Sequence, residues 1–229
     1  MTSLIKMFVL IILLSSSALI SLLTDHNNYL DIKINYLSTG YFDNKKIVDD
    51  LIRNKEISDL INLNDFQKVE KELEKIKSIK SIDVYRNNYL QLEIDIKDRE
   101  PIAFIRELNS YMDSSGVIIK KHNSSIDNIP EIKGILPDGE EFKFLKVIAA
   151  LENDDFFESK LKSISLKGDD IYLNIKGFDF DIRFGNEFQL KNKLNMLKGF
   201  YLYQFNNSSN KKYKQVDLVY SNRLIAIKN

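Results

Sequence analysis

The sequence predicts an α+β chain: an N-terminal transmembrane helix, then a β-α-α-β-β unit, then a mixed antiparallel β domain that also carries helices. Three observations predict it. A single long uncharged apolar run, Met7 to Leu23, stands at the start; Leu90 to Lys97 alternates aliphatic and polar residues with period two; and Asp98-Arg99-Glu100-Pro101 interrupts that strand before a second extended run opens at Ile102-Ala103-Phe104-Ile105. Period two puts Leu90, Leu92, Ile94 and Ile96 on one face of a half-buried strand and Gln91, Glu93, Asp95 and Lys97 on the solvated face. Proline and its restricted predecessor break the hydrogen-bond ladder, so one unit closes at this point and another opens, with Pro101 expected to mark a hinge. The expected boundaries are a cytoplasmic tail over 1–6, the membrane span over 7–23, a first folded unit over 28–98 and a second over 99–229.

The apolar run is of near-minimum length for a span: with Leu4 and Ile5 added, it approaches the ~30 Å hydrocarbon core at ~1.5 Å per residue. Ser15 to Ser17 lie inside the run, and Ala18 to Leu23 has no small-x-small site, which favours a retained anchor over a cleaved signal. Lys6 and the amino terminus place the N-terminal side in the cytoplasm and the bulk of the chain outside.

Past the anchor, Leu30, Ile32 and Ile34 alternate in a strand from Tyr29 to Tyr36. Asp43 can cap a helix carrying Ile47, Val48, Leu51 and Ile52, and Asn64 with Gln67 resembles a capping box ahead of Phe66, Val69, Leu73 and Ile76. The charges of this second helix read as a solvated face, with Lys68–Glu72 and Glu74–Lys77 as surface pairs. Ile82 and Val84 make a short strand, and Asn87-Asn88 turn it back into the strand of Leu92 and Ile94.

Beyond Pro101, short strands are expected around Phe104 to Glu107, Tyr111 to Met112 and Val117 to Ile119, and Asp113-Ser114-Ser115-Gly116 divides the last two. Asp138 with Glu141 reads as a capping box for a helix that turns Phe142, Leu145, Ile148 and Leu151 inward. Ile164-Leu166, Ile171-Leu173-Ile175 and Phe178-Phe180-Ile182-Phe184 alternate as antiparallel strands. A helix with Leu190, Leu194, Leu197 and Tyr201 on one stripe follows, and the chain ends in a hairpin, Val216 to Tyr220 and Leu224 to Lys228.

Composition narrows the function. The 229 residues carry 33 basic and 33 acidic side chains, so no net field favours phosphate backbones, and nucleic-acid binding is not expected. With no cysteine and two histidines, His26 and His122, there is no ligand set for a metal. The sequence has no nucleophile elbow, P-loop or dinucleotide fingerprint. The expectation is a non-enzymatic protein without cofactors.

Four stretches carry a resemblance: Asp98-Arg99-Glu100-Pro101-Ile102-Ala103, Met112-Asp113-Ser114-Ser115-Gly116-Val117, Ile129-Pro130-Glu131-Ile132-Lys133-Gly134 and Val216-Asp217-Leu218-Val219-Tyr220. In this order, after an N-terminal anchor, they resemble the bacterial cell-division family FtsQ, called DivIB in Gram-positive bacteria. Asp98 stands where the family usually has glutamate, and Val219 where it has arginine. The resemblance implies a POTRA domain over Leu30 to Lys97 and the family's β domain from Arg99 to Asn229. It further implies a single-pass protein of the inner membrane at the septum, a scaffold that binds the FtsB-like and FtsL-like division proteins. Other readings are a POTRA-bearing export or outer-membrane assembly factor acting as a peptide-holding chaperone, and a secreted hydrolase with a cleaved signal.

The candidate binding residues are Tyr220, Asn222, Arg223, Leu224, Ile225, Ala226, Ile227 and Lys228. If Val216 to Tyr220 pairs inward, Arg223 to Lys228 lies at the sheet edge, where unpaired backbone groups accept a strand from another chain. By resemblance, Tyr220 matches an aromatic of the FtsB-binding surface, and Asn222 to Lys228 overlies the strand that the partner extends. The competing reading is that Leu224, Ile225, Ala226 and Ile227 only close the core.

Overall fold

Two sheets organise the chain, seen in a computed structural model that describes residues 31–37, 40–88, 91–121, 126–137, 139–207 and 212–228. The expected span over 7–23, and with it His26, lies outside the described residues, as do His122 and Asp138. Among the described residues no helix is long and apolar enough to cross a membrane.

The first sheet holds β1 (Asp31–Leu37), β2 (Ile79–Asn88) and β3 (Gln91–Asp98) in the order β1-β3-β2. β3 is central, parallel to β1 with Ile34 opposite Ile94, and antiparallel to β2 with Val84 opposite Ile94. A parallel pair needs a crossover. It is made by α1 (Asn44–Ile52), α2 (Lys55–Asn62) and α3 (Phe66–Leu73), whose Val48, Ile57, Val69 and Leu73 are buried with Leu92 and Ile94 in one cluster.

The unit therefore has three helices where two are expected. α2 spans only two turns, too few for a clear periodic signal, but Ile57 and Ile61 stand four apart and both are buried. The Asn54 side chain caps it, accepting the Glu56 N–H at 3.1 Å. Asn64 is not the cap of α3. It takes a left-handed conformation, φ 58°, after α2, while Asp65 occupies the N-cap position without a side-chain cap bond. The surface pairs also differ: Lys68 meets Asp65 at 2.6 Å and Lys75 meets Glu72 at 2.5 Å.

Pro101, expected to mark a hinge rather than a core position, lies in the core. It is buried as the first residue of β4 (Pro101–Ile105), a position that tolerates a missing N–H, and pairs with Asp113 of β5 (Ser110–Asp113). On one side of it, the buried Asp98 carboxylate accepts the Tyr36 hydroxyl at 2.8 and 2.9 Å and the Asn44 amide at 2.7 Å, and Asn44 accepts Ser78 Oγ at 2.5 Å. Arg99 ties the two sheets: its backbone N–H donates to Ser78 O at 2.8 Å, its Nε to Lys77 O at 3.0 Å and its Nη1 to Asp113 Oδ2 at 2.6 Å. Phe42, Tyr111 and Ile119 form a small buried cluster across the same joint.

The second sheet continues through β6 (Ile118–Lys120), β7 (Glu131–Lys133), α4 (Glu141–Glu152), β8 (Leu161–Lys167), β9 (Asp170–Ile175), β10 (Asp181–Gly185), α5 (Leu190–Asn207), β11 (Tyr213–Asp217) and β12 (Ile225–Lys228). Its order is β12-β11-β10-β9-β8-β7-β4-β5-β6. Three neighbouring pairs, β4/β7, β7/β8 and β10/β11, are parallel and the other five antiparallel, so the sheet is mixed with antiparallel pairing in the majority. Helical crossovers make two of these pairs, α4 returning the chain from β7 to β8 and α5 from β10 to β11, while β5 and β6 lie between β4 and β7 in the chain. Both pack on one face, burying Phe144, Val147, Leu151, Leu194 and Leu197 with Ile132, Ile164, Leu173, Ile182 and Val216. Phe142, expected to point inward, is 63% exposed, because the buried stripe of α4 runs through Phe144, Leu145, Val147, Ile148 and Leu151; Glu140 holds the N-cap position without a side-chain cap bond. Phe178 and Phe180 lie before β10, where their rings meet at 5.4 Å and Phe178 packs on Tyr201 at 4.9 Å.

Candidate functional site

β12 is the outer strand at one end of the nine-stranded sheet. Its inner side pairs with β11, Val216 opposite Ala226 and Asp217 opposite Ile225. Alternation then divides β12 and the residue before it: Leu224 and Ala226 are partly buried against the main core, whereas Ile225 and Ile227 are 39% and 43% exposed. The reading in which all four close the core thus holds for only two. Lys228 is exposed at the end of β12, with Tyr213 as its cross-strand neighbour.

The inner partner explains why the edge sits here. Val216 and Leu218 are fully buried, and Ile182 opposite Val216 in the parallel β10/β11 pair is buried too, so β11 must face inward. β12 is left outside.

Tyr220, Asn222 and Arg223 belong to the connection between the two strands rather than to the strands, since β11 ends at Asp217. Tyr220 is 44% exposed, and the Arg223 guanidinium carbon lies 4.5 Å from its ring centroid, a cation–π stack. The connection is tied at several points. Leu218 N–H donates to Arg183 O at 2.8 Å and Val219 N–H to Asp217 Oδ1 at 3.0 Å. Asn192 Nδ2, in the first turn of α5, donates to Ser221 O at 2.6 Å and lies 3.4 Å from Asn222 Oδ1.

The residues beneath were not singled out by sequence reasoning. Arg183 forks between two carboxylates, with Nε and Nη2 donating to Asp170 Oδ2 at 2.8 and 2.5 Å and Nη1 to Asp217 Oδ2 at 3.0 Å. Lys193 is almost fully buried. Its Nζ donates to Phe184 O at 2.9 Å, Asn186 O at 2.7 Å and Asn186 Oδ1 at 3.0 Å, and burial pushes its pKa below the ordinary lysine value, against the pull of Glu187 and Asp170. Gly185, at φ 78°, lets the connection approach: a Cβ there would sit 3.2 Å from Val219 Cγ2 and 3.3 Å from its Cα. Of these, Gly185 reads from sequence only as the break before a helix, and Asp217 only as one letter of a motif.

Among the described residues this arrangement presents a strand edge with no outer neighbour, two exposed isoleucines and a stacked Tyr–Arg pair, and no acid, base and nucleophile are brought together there. Among the described residues, no group of three or more histidine, aspartate or glutamate side chains is placed to hold a metal ion. A protein-family model described as FtsQ/DivIB, C-terminal related, matches residues 100–227, from the residue before β4 into β12. No curated protein matches the chain.

Proposed function

The chain belongs to the FtsQ/DivIB C-terminal related family, and from that premise we propose that it is a non-enzymatic scaffold of bacterial cell division whose β12 edge binds a strand of another division protein. The observation that carries the binding role is the open edge of β12 with Ile225 and Ile227 turned outward. Backbone pairing along such an edge supplies affinity with little dependence on partner sequence, and exposed side chains beside it supply selectivity. FtsB-like and FtsL-like proteins are the proposed partners. Residues 7–23 are proposed to anchor the chain in the inner membrane at the septum, with the tail of residues 1–6 in the cytoplasm and the folded part outside.

Two variants test the edge. Ile225→Pro disturbs the strand that the partner would extend, and Tyr220→Ala removes an aromatic anchor worth ~2 kcal/mol or more in a typical hot spot. Both are expected to abolish pull-down of the FtsB-like protein while circular dichroism stays close to that of the unmodified protein. Retained binding by both variants would refute the edge as the site, and loss of binding together with loss of fold would return β12 to a purely structural role.

A further inference from the structure

We propose that Asn192 is a positioning residue for partner binding: from the first turn of α5 it holds the 218–224 connection in the shape that presents Tyr220 and Arg223 beside the β12 edge. The inference rests on the reading of β12 as the binding edge, and adds to it a residue outside the hairpin.

The connection is an exposed loop, and a loop free to move would lose conformational entropy when a partner ordered it. Here that ordering is already present. Leu218 and Val219 are tied to Arg183 and Asp217 at the start, and Gly185 leaves room for Val219 against the strand end. Between Val219 and Leu224, which packs against the core, Asn192 ties the connection to α5 by bonding the Ser221 carbonyl and reaching the Asn222 side chain. Those two residues lie between Tyr220 and Arg223, so the point that Asn192 grips is the midpoint of the stacked pair. An exposed aromatic held this way is pre-organised, which lowers the conformational cost of binding.

Asn192 is the third residue of α5, and the first turn of that helix contains no acidic residue. Aspartate there has nearly the same shape and favours the helix dipole, so Asn192→Asp should leave the helix as stable or more so. Yet a carboxylate cannot donate to Ser221 O and repels it. The substitution thus separates helix stability from loop geometry, which a merely structural role would not do. Asn192→Ala removes the donor without adding charge near Arg223.

The test uses the full chain in detergent, with binding of the FtsB-like protein by calorimetry, backbone hydrogen exchange over 219–223, and thermal melting. Asn192→Asp and Asn192→Ala are both expected to bind roughly tenfold more weakly, the scale of one lost hydrogen bond. Exchange at Asn222 and Arg223 should quicken, and the melting temperature of the Asp variant should not fall. Binding by both variants within twofold of the unmodified protein, while Ile225→Pro fails to bind, would overturn the role of Asn192 and leave the edge standing. Binding retained by Ile225→Pro and Tyr220→Ala would remove the edge itself. A lowered melting temperature in parallel with weaker binding would reduce Asn192 to a structural contact.

Discussion

Asp98→Ala is expected to destabilise the protein by about 3 kcal/mol, read as a shift in the urea midpoint at constant slope. The carboxylate is 1% exposed and accepts hydrogen bonds from Tyr36 and from Asn44, which in turn receives Ser78. Alanine leaves the Asn44 amide buried without that acceptor, and hydrogen bonds to a charged group are worth more than neutral ones, so the loss exceeds that of an ordinary surface substitution. Asp98→Asn keeps the shape and one acceptor, and is expected to lose less. A midpoint unchanged in Asp98→Ala would show that the network does not bear on stability. Because Arg99 next to it joins Lys77 and Ser78 to Asp113, the same substitution should also raise proteolysis near residue 100, at the joint of the two sheets.

Ile94→Ala is expected to cost about 3 to 5 kcal/mol. Ile94 is fully buried on the central strand of the first sheet, with Ile34 and Val84 on either side, so truncation removes apolar contact and leaves a cavity that a three-stranded sheet under short helices cannot close. Its neighbour Glu93, read from sequence as a solvated position, is in fact enclosed. It accepts hydrogen bonds from Asn87 at 2.6 Å, Asn35 at 3.0 Å and Tyr85 at 3.1 Å, and Lys33 lies 3.8 Å away. Glu93→Ala should therefore lower the melting temperature measurably, though less than Ile94→Ala.

The bond from Asn87, more than any other influence, holds the Glu93 carboxyl below its ordinary pKa, with burial opposing. The Tyr85 hydroxyl, bonded first to Asp95 and then to Glu93, is pushed up to about 12. A pKa lowered on folding means that the folded state binds fewer protons than the unfolded one between the two values. The stabilisation is thus present above the ordinary glutamate value of ~4.3 and is lost as pH falls through the lower, folded one. Melting temperatures of the unmodified protein and Glu93→Gln should converge on acidification below pH ~4; a constant gap would show that the charge of Glu93 is not what stabilises.

Local pattern accounts for much of the architecture. The alternation in β3, the inward stripe of α5 through Leu194 and Leu197, the antiparallel run β8-β9-β10 and the closing hairpin are each set by spacing of apolar residues along the chain, and spacing is visible in one dimension. The four stretches that resemble the FtsQ/DivIB family are legible for the same reason, and three of them fall within the matched residues 100–227, while the other straddles their start.

What spacing could not decide is what lies beside what. The short α2 needs a tertiary core to hold it, and the capping box read at Asn64 competes with the left-handed turn that Asn64 makes after α2. Parallel pairing at β4/β7 and β10/β11 depends on where the crossovers return the chain. Glu93 and Pro101 carry polar-face and chain-breaker signals, yet neighbours distant in sequence enclose both. At the candidate site the sequence by itself pointed to Arg223 to Lys228 as the outer strand, because the apolar Val216 and Leu218 before it call for burial inside the sheet. Only the tertiary structure decided that Leu224 and Ala226 turn in while Ile225 and Ile227 turn out, and that Asn192 reaches Ser221: contacts between residues some thirty positions apart are fixed by how α5 packs on the sheet, which no local pattern encodes.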